Sequence, residues 1–108
     1  MSITHKRGDT FEIIVDFTLN GDPQDIADWQ IRSQIRDGNK NLLKELDINP
    51  IDLTLGQFSL NATAAETRDW TPAVYQCDIE FIDNTGFVVS SSTFNITVIR
   101  DVTRDFTP

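Results

Sequence analysis

Residues 74–100, VYQCDIEFIDNTGFVVSSSTFNITVIR, constrain the fold more than any other stretch. Tyr75, Cys77, Ile79 and Phe81 alternate with Gln76, Asp78 and Glu80, and a two-residue period puts one set on each face of a β-strand. Asp83-Asn84-Thr85-Gly86 supplies a reversal, because Asn and Gly tolerate the positive φ of a tight turn. The chain returns through residues 87–91 and continues with Phe94, Ile96 and Val98, again at period two. Two such strands joined by a reversal make an antiparallel meander with one greasy face. The rest of the chain has to cover that face.

The remaining segments read as further strands. Residues 3–6 form a short edge strand, and Gly8-Asp9 turns it into the next. Arg7-Gly8-Asp9 is therefore a turn rather than a receptor ligand. Phe11, Ile13, Val15, Phe17 and Leu19 alternate with Glu12, Asp16 and Thr18, with Ile14 breaking the polar side. Asn20-Gly21-Asp22-Pro23 is a turn signal. Residues 24–28 connect, with room for one helical turn and with Ile26 and Trp29 as core anchors. In residues 29–36, Trp29, Ile31, Ser33 and Ile35 oppose Gln30, Arg32, Gln34 and Arg36. Asp37-Gly38-Asn39 turns back into a shorter, more exposed strand over residues 41–46. Residues 47–54 contain Pro50 and read as a loop or edge segment. Residues 56–61 form a strand with Phe58 and Leu60 inward. Thr63-Ala64-Ala65-Glu66 is a capping box that opens a helix over about residues 63–70, ended by Thr71-Pro72, with Trp70 plugging the core.

Six or seven strands with a turn signal about every ten residues predict an all-β chain. The expected form is a single domain, 1–108: an antiparallel two-sheet immunoglobulin-like sandwich with one short helix and a polar tail from about residue 101. A single open barrel is the alternative. Cys77 has no second Cys to pair with, so the likeness to immunoglobulin domains is architectural. At 108 residues such a domain buries roughly 65% of its unfolded surface.

Composition and motifs exclude more than they assign. Nine Lys and Arg against seventeen Asp and Glu give a net charge of −8, which repels phosphate backbones and anionic lipid. Nucleic acid and membrane are therefore not expected partners. No apolar run approaches the roughly 20 residues of a membrane span, and residues 1–7 have no apolar stretch that would make a secretory signal. Cys77 falls on the buried side of its strand and reads as a small core residue of a reducing compartment. His5 is the only histidine and lies on a terminal strand, so neither a catalytic triad nor a three-His zinc site can be built. Asp78 and Glu80 share an outer face that Arg32 and Arg36 can oppose, a solvated pairing rather than a glycosidase pair. Asp83-Asn84-Thr85-Gly86 lacks the spacing and terminal Glu of an EF-hand, and no Gly-rich phosphate cradle is present. No catalytic residue, cofactor, metal or small-molecule substrate is expected.

The informative anomaly is on the outer faces. By parity Ile14, Val88 and Ile99 point opposite to the core set of their own strands, as do Val74 and Ile82 at the ends of theirs. Single exposed apolar residues are ordinary, but a cluster of them is a patch that a lone domain avoids. Ile14, Val74, Ile82, Val88 and Ile99 are the candidate partner interface.

Arg7-Gly8-Asp9-Thr10-Phe11 leading into an alternating strand, Trp29-Gln30-Ile31-Arg32-Ser33-Gln34-Ile35-Arg36, Cys77-Asp78-Ile79-Glu80-Phe81 and Thr93-Phe94-Asn95-Ile96-Thr97-Val98 together resemble small tailed-bacteriophage proteins. The similarity is to the immunoglobulin-like N-terminal domain of baseplate upper and tail-fibre proteins, and it covers nearly the whole chain. It implies a virion component, assembled in the host cytoplasm, that docks on other virion proteins or on copies of itself by sheet faces, edges and termini. It carries no catalytic residues. A capsid decoration protein is an alternative within that class. An acidic inhibitor of a host enzyme is the alternative from another class, and a carbohydrate-binding module would want exposed aromatics.

Overall fold

The alternating stretches become strands in the computed structural model, which describes residues 2–103. In order they are β1 Ser2–Lys6, β2 Phe11–Asp16, β3 Thr18–Leu19, β4 Asp22–Pro23, β5 Gln30–Arg36, β6 Leu42–Glu45, β7 Asp47–Asp52, β8 Gln57–Ala62, β9 Ala73–Ile82, β10 Val88–Ser90 and β11 Phe94–Ile99. A 3₁₀ turn, Leu53–Leu55, precedes β8, and one helix, α1 Ala64–Thr67, follows it. The larger sheet runs β1-β11-β9-β5-β6, with β10 also on β9; the smaller runs β2-β8-β7; β3 and β4 form a separate hairpin. The chain is an all-β immunoglobulin-like sandwich. Its pairs are antiparallel except one, β1 beside β11, which is parallel.

The core lies between the two sheets, and its membership follows strand parity. Tyr75, Cys77, Ile79 and Phe81 of β9, Phe94, Ile96 and Val98 of β11, Ile35 of β5, and Phe58 and Leu60 of β8 are all buried. Burying a large apolar side chain contributes about 1.5–3 kcal/mol, so this set supplies the main drive to fold. Trp70 plugs one end, its ring 5.7 Å from that of Phe11. Phe81 anchors the middle, 4.3 Å from Phe17 and 5.9 Å from Phe58 in edge-to-face contacts.

Four segments depart from the pattern read in the sequence. The long strand expected through Leu19 breaks at Phe17: its N–H donates to Gly56 O and its carbonyl accepts from Gln24 N–H, so the chain leaves the small sheet there. Residues 24–28 form no helical turn, although Ile26 is fully buried. The helix stops at Thr67 rather than near residue 70. The hydroxyl of Thr67 donates to Asp9 O and accepts from Gly8 N–H, which ties the helix end to the β1–β2 turn. The returning strand is cut in two at residues 91–93, where Ser91 Oγ takes the place of a backbone acceptor for Ile79 N–H. The capping box forms in full: Thr63 Oγ1 accepts from Glu66 N–H, and Glu66 Oε1 accepts from Thr63 N–H. Residues 104–108 of the expected tail lie outside the described residues.

One feature of immunoglobulin domains is present that the sequence reading did not name. Tyr75, two residues before Cys77, donates its hydroxyl proton to Thr71 O at 2.5 Å. That is the tyrosine corner, which fixes the crossing from one sheet to the other.

Candidate docking surfaces

The outer face of the large sheet is polar in the middle and apolar at its ends. Along β9 the outward residues are Val74, Gln76, Asp78, Glu80 and Ile82, so the two apolar positions stand roughly 26 Å apart by strand rise. Val88 pairs with Ile82 at one end, while Thr97 pairs with Val74 at the other, with Ile99 further along β11. Val74 is 58% exposed, Val88 52% and Ile99 38%. Ile82 is half-buried, because Val88 and Gln30 flank it on both sides. Ile14 is 65% exposed but sits on β2, in the other sheet. The five candidates are therefore three separate spots rather than one patch.

Between the two ends runs a polar ladder. Arg32 donates to Glu45 Oε1 at 2.8 Å and Gln34 Nε2 donates to the same oxygen at 3.2 Å. Arg36 donates to Gln34 Oε1 and to Lys40 O. Arg32 stands across from Glu80 in register, whereas Arg36 stands across from Gln76 rather than an acid. These exposed pairs contribute little each, at most about 1 kcal/mol.

Other apolar groups reach solvent that parity did not expose. Phe87 is 62% exposed, because the strand begins at Val88 and Phe87 stays on the turn that Asp83 organises. Leu42 and Ile51 are also exposed, each beside an irregularity in strand register. Turn and bulge geometry decides all three, and a two-residue period carries no sign of it.

The small sheet presents a different face. On its outer side Glu12 aligns with Asn61 and Asp47, Ile14 with Ser59 and Asn49, and Asp16 with Gln57 and Asp52. Its strands contain four carboxylates and no Lys or Arg. Beside it, a groove of about 370 Å³ runs between β2 and residues 91–93, with Ile79 and Phe94 in its lining. A second stretch of about 270 Å³ continues along Phe17, Leu19, Phe81 and Val89.

Groups that could do chemistry are held in structural roles. Cys77 is buried, its thiol pushed up to about 11 by desolvation, with Ser33 Oγ 3.3 Å away. A thiol so protonated is a poor nucleophile. His5 packs on Phe11 and Trp70, contacts Asp9 O through Nε2 at 3.1 Å, and has its pKa lowered chiefly by burial. Arg7 is paired with Asp101 at 2.8 Å, so the Arg7-Gly8-Asp9 turn is pinned to the body. Asp83 Oδ1 accepts from Thr85 and Phe87 N–H, which accounts for the turn without a metal. Among the described residues no three His, Cys, Asp or Glu side chains gather as metal ligands, and no helix is long and apolar enough to cross a membrane.

No family model matches the sequence and no curated protein is significantly similar to it. Solved structures are similar in fold. The N-terminal domain of phage TP901-1 ORF48 superposes with a TM-score of 0.60 at 15% identity, over 89% of this chain and 82% of that one. CopC from Methylosinus trichosporium OB3b gives 0.57 at 13% identity, covering 95% and 90% of the two chains. Murine CRIg gives 0.50 at 13% identity, covering 91% and 92%. Identities this low establish the sandwich architecture and nothing finer.

Proposed function

We propose that the protein is a non-enzymatic structural component of a bacteriophage particle, docking on neighbouring virion proteins in the tail, baseplate or fibre-attachment apparatus. The observation that carries this reading is the set of apolar side chains turned outward from a rigid two-sheet body: Ile14, Val74, Val88 and Ile99, with Ile82 beside Val88. The fold likeness to a domain of a phage protein supports it. Docking would bury the spots on the large sheet, each too small for a tight contact alone. Repetition in a symmetric particle multiplies weak contacts into a stable one.

An acidic inhibitor is the second reading, favoured by the small sheet, whose own strands carry four carboxylates and no Lys or Arg, although Lys44 reaches Asp47 from the large sheet at 3.8 Å. It is the weaker one, because Ile14 stands in the middle of that face where a phosphate mimic would carry charge. Mass spectrometry of purified particles separates the two. The protein is expected among virion components at a copy number matching the tail; a shell copy number would move it to capsid decoration, and absence would sink the proposal.

A further inference from the structure

The four-stranded sheet of a seven-strand immunoglobulin domain is ordered A-B-E-D, with the first strand beside the second. Here β2, β8 and β7 occupy the last three places, and the first strand has gone to the other sheet, parallel to β11. Among the described residues, one edge of β2 is therefore unpaired along its length. The inward side chains register the vacancy. Ile13 and Val15 of β2 are only half-buried, whereas Phe58 and Leu60 of β8 are fully buried. The groove against residues 91–93 opens beside that edge, with Ile13, Val15, Ile79 and Phe94 in its wall.

We infer that the free edge of β2 accepts an added strand from another chain of the particle, in which apolar residues alternate with Lys or Arg. Backbone pairing would give affinity and alternate side chains specificity, as in other strand-addition sites. The inward residues of the added strand would fill the groove and complete the core over Ile13 and Val15. Its outward residues would lie beside Glu12, Ile14 and Asp16, on a face without a basic residue in its strands. That charge pattern selects a basic partner. It also selects against a second copy, because antiparallel β2–β2 pairing about Ile14 would set Glu12 against Asp16 twice, and like charges directly opposite are destabilising. An exposed edge of this kind is a hazard unless something covers it.

The inference deepens the docking reading and rests on it for the kind of partner. Its test uses the full chain, ¹⁵N-labelled, with three synthetic peptides: Lys alternating with Val, Glu alternating with Val, and the Lys and Val residues regrouped in two blocks. The alternating basic peptide is expected to shift β2 resonances, slow exchange of alternate β2 amides, and bind about tenfold more tightly than either control. The double variant Glu12→Lys, Asp16→Lys, altered only at exposed positions, should reverse the preference toward the acidic peptide. Equal binding of the alternating and blocked peptides, or shifts confined to other elements, would overturn the site. So would a concentration-dependent dimer that protects β2. Failure of these shifts in a protein present in particles would refute strand addition alone. Absence from particles with β2 still protected would refute the particle reading and leave the edge site standing.

Discussion

Tyr75 shows how much one side chain can fix. Its hydroxyl, partnered by Thr71 O, locks the corner by which the chain enters β9, while its ring is buried in the core. Tyr75→Phe keeps the ring and loses the bond, and should cost about 1 kcal/mol in a denaturant melt with an unchanged slope. No loss would mean that the corner contributes nothing. Gly56 is the stricter case. Its φ is +74°, and a Cβ there would lie 2.5 Å from Phe17 O and 2.8 Å from Gln24 O. Gly56→Ala should cost at least about 3 kcal/mol, whereas Gly21→Ala, with φ +85° and open space around it, should cost about 1 kcal/mol. Equal costs would show that the close approach of backbones at Gly56 is not tight. Glu66 gives a pH signature. Lys44 and the Thr63 amide hold its carboxyl down to about 2, against an ordinary value near 4.5. Its stabilisation is complete above the unfolded value and disappears as the pH falls from about 4.5 toward 2. Glu66→Gln should flatten that part of the stability–pH curve while leaving it unchanged in shape above pH 5 or so.

At the scale of elements, β5, β8, β9 and the capping box were legible because each is local. A period of two sorts Tyr75, Cys77, Ile79 and Phe81 from their neighbours, and it does so whatever lies beside β9. The reversals at Asn20-Gly21 and Asp83-Asn84-Thr85-Gly86 were legible for the same reason. What periodicity cannot carry is adjacency. It gives the face of Ile14 but not the sheet, so it could not tell that Ile14 is separated from Val74, Ile82, Val88 and Ile99. The break at Phe17 was hidden because it keeps apolar parity while changing hydrogen-bond partners. At residues 91–93 the inward set does shift, from Val89 opposite Phe81 to Phe94 opposite Cys77, but a run of Ser and Thr carries no apolar mark to place the cut. The bare edge of β2 is another property of strand order. Only half of the candidate interface was thus visible: the side chains, and not their arrangement.

For the whole molecule the decisive quantity is the charge of −8 and where it lies. Arg32 and Arg36 are on the large sheet, whereas the charged residues in the strands of the small sheet are all acids. Their mutual repulsion acts through solvent and is screened once the Debye length falls from about 30 Å at 0.01 M salt to about 8 Å at 0.15 M. The melting temperature should therefore rise over that range in a thermal scan. A fall would mean that pairs such as Arg7–Asp101 outweigh the repulsion. The parallel pairing of β1 with β11 has a mechanical consequence. Ser2 lies beside Asn95 and Lys6 beside Ile99, so the chain enters at one end of the ladder and leaves at the other. Tension applied between those two points pulls lengthwise on every rung together, in shear, instead of peeling them singly. Loaded in that direction, the body would hold much as a lap joint does.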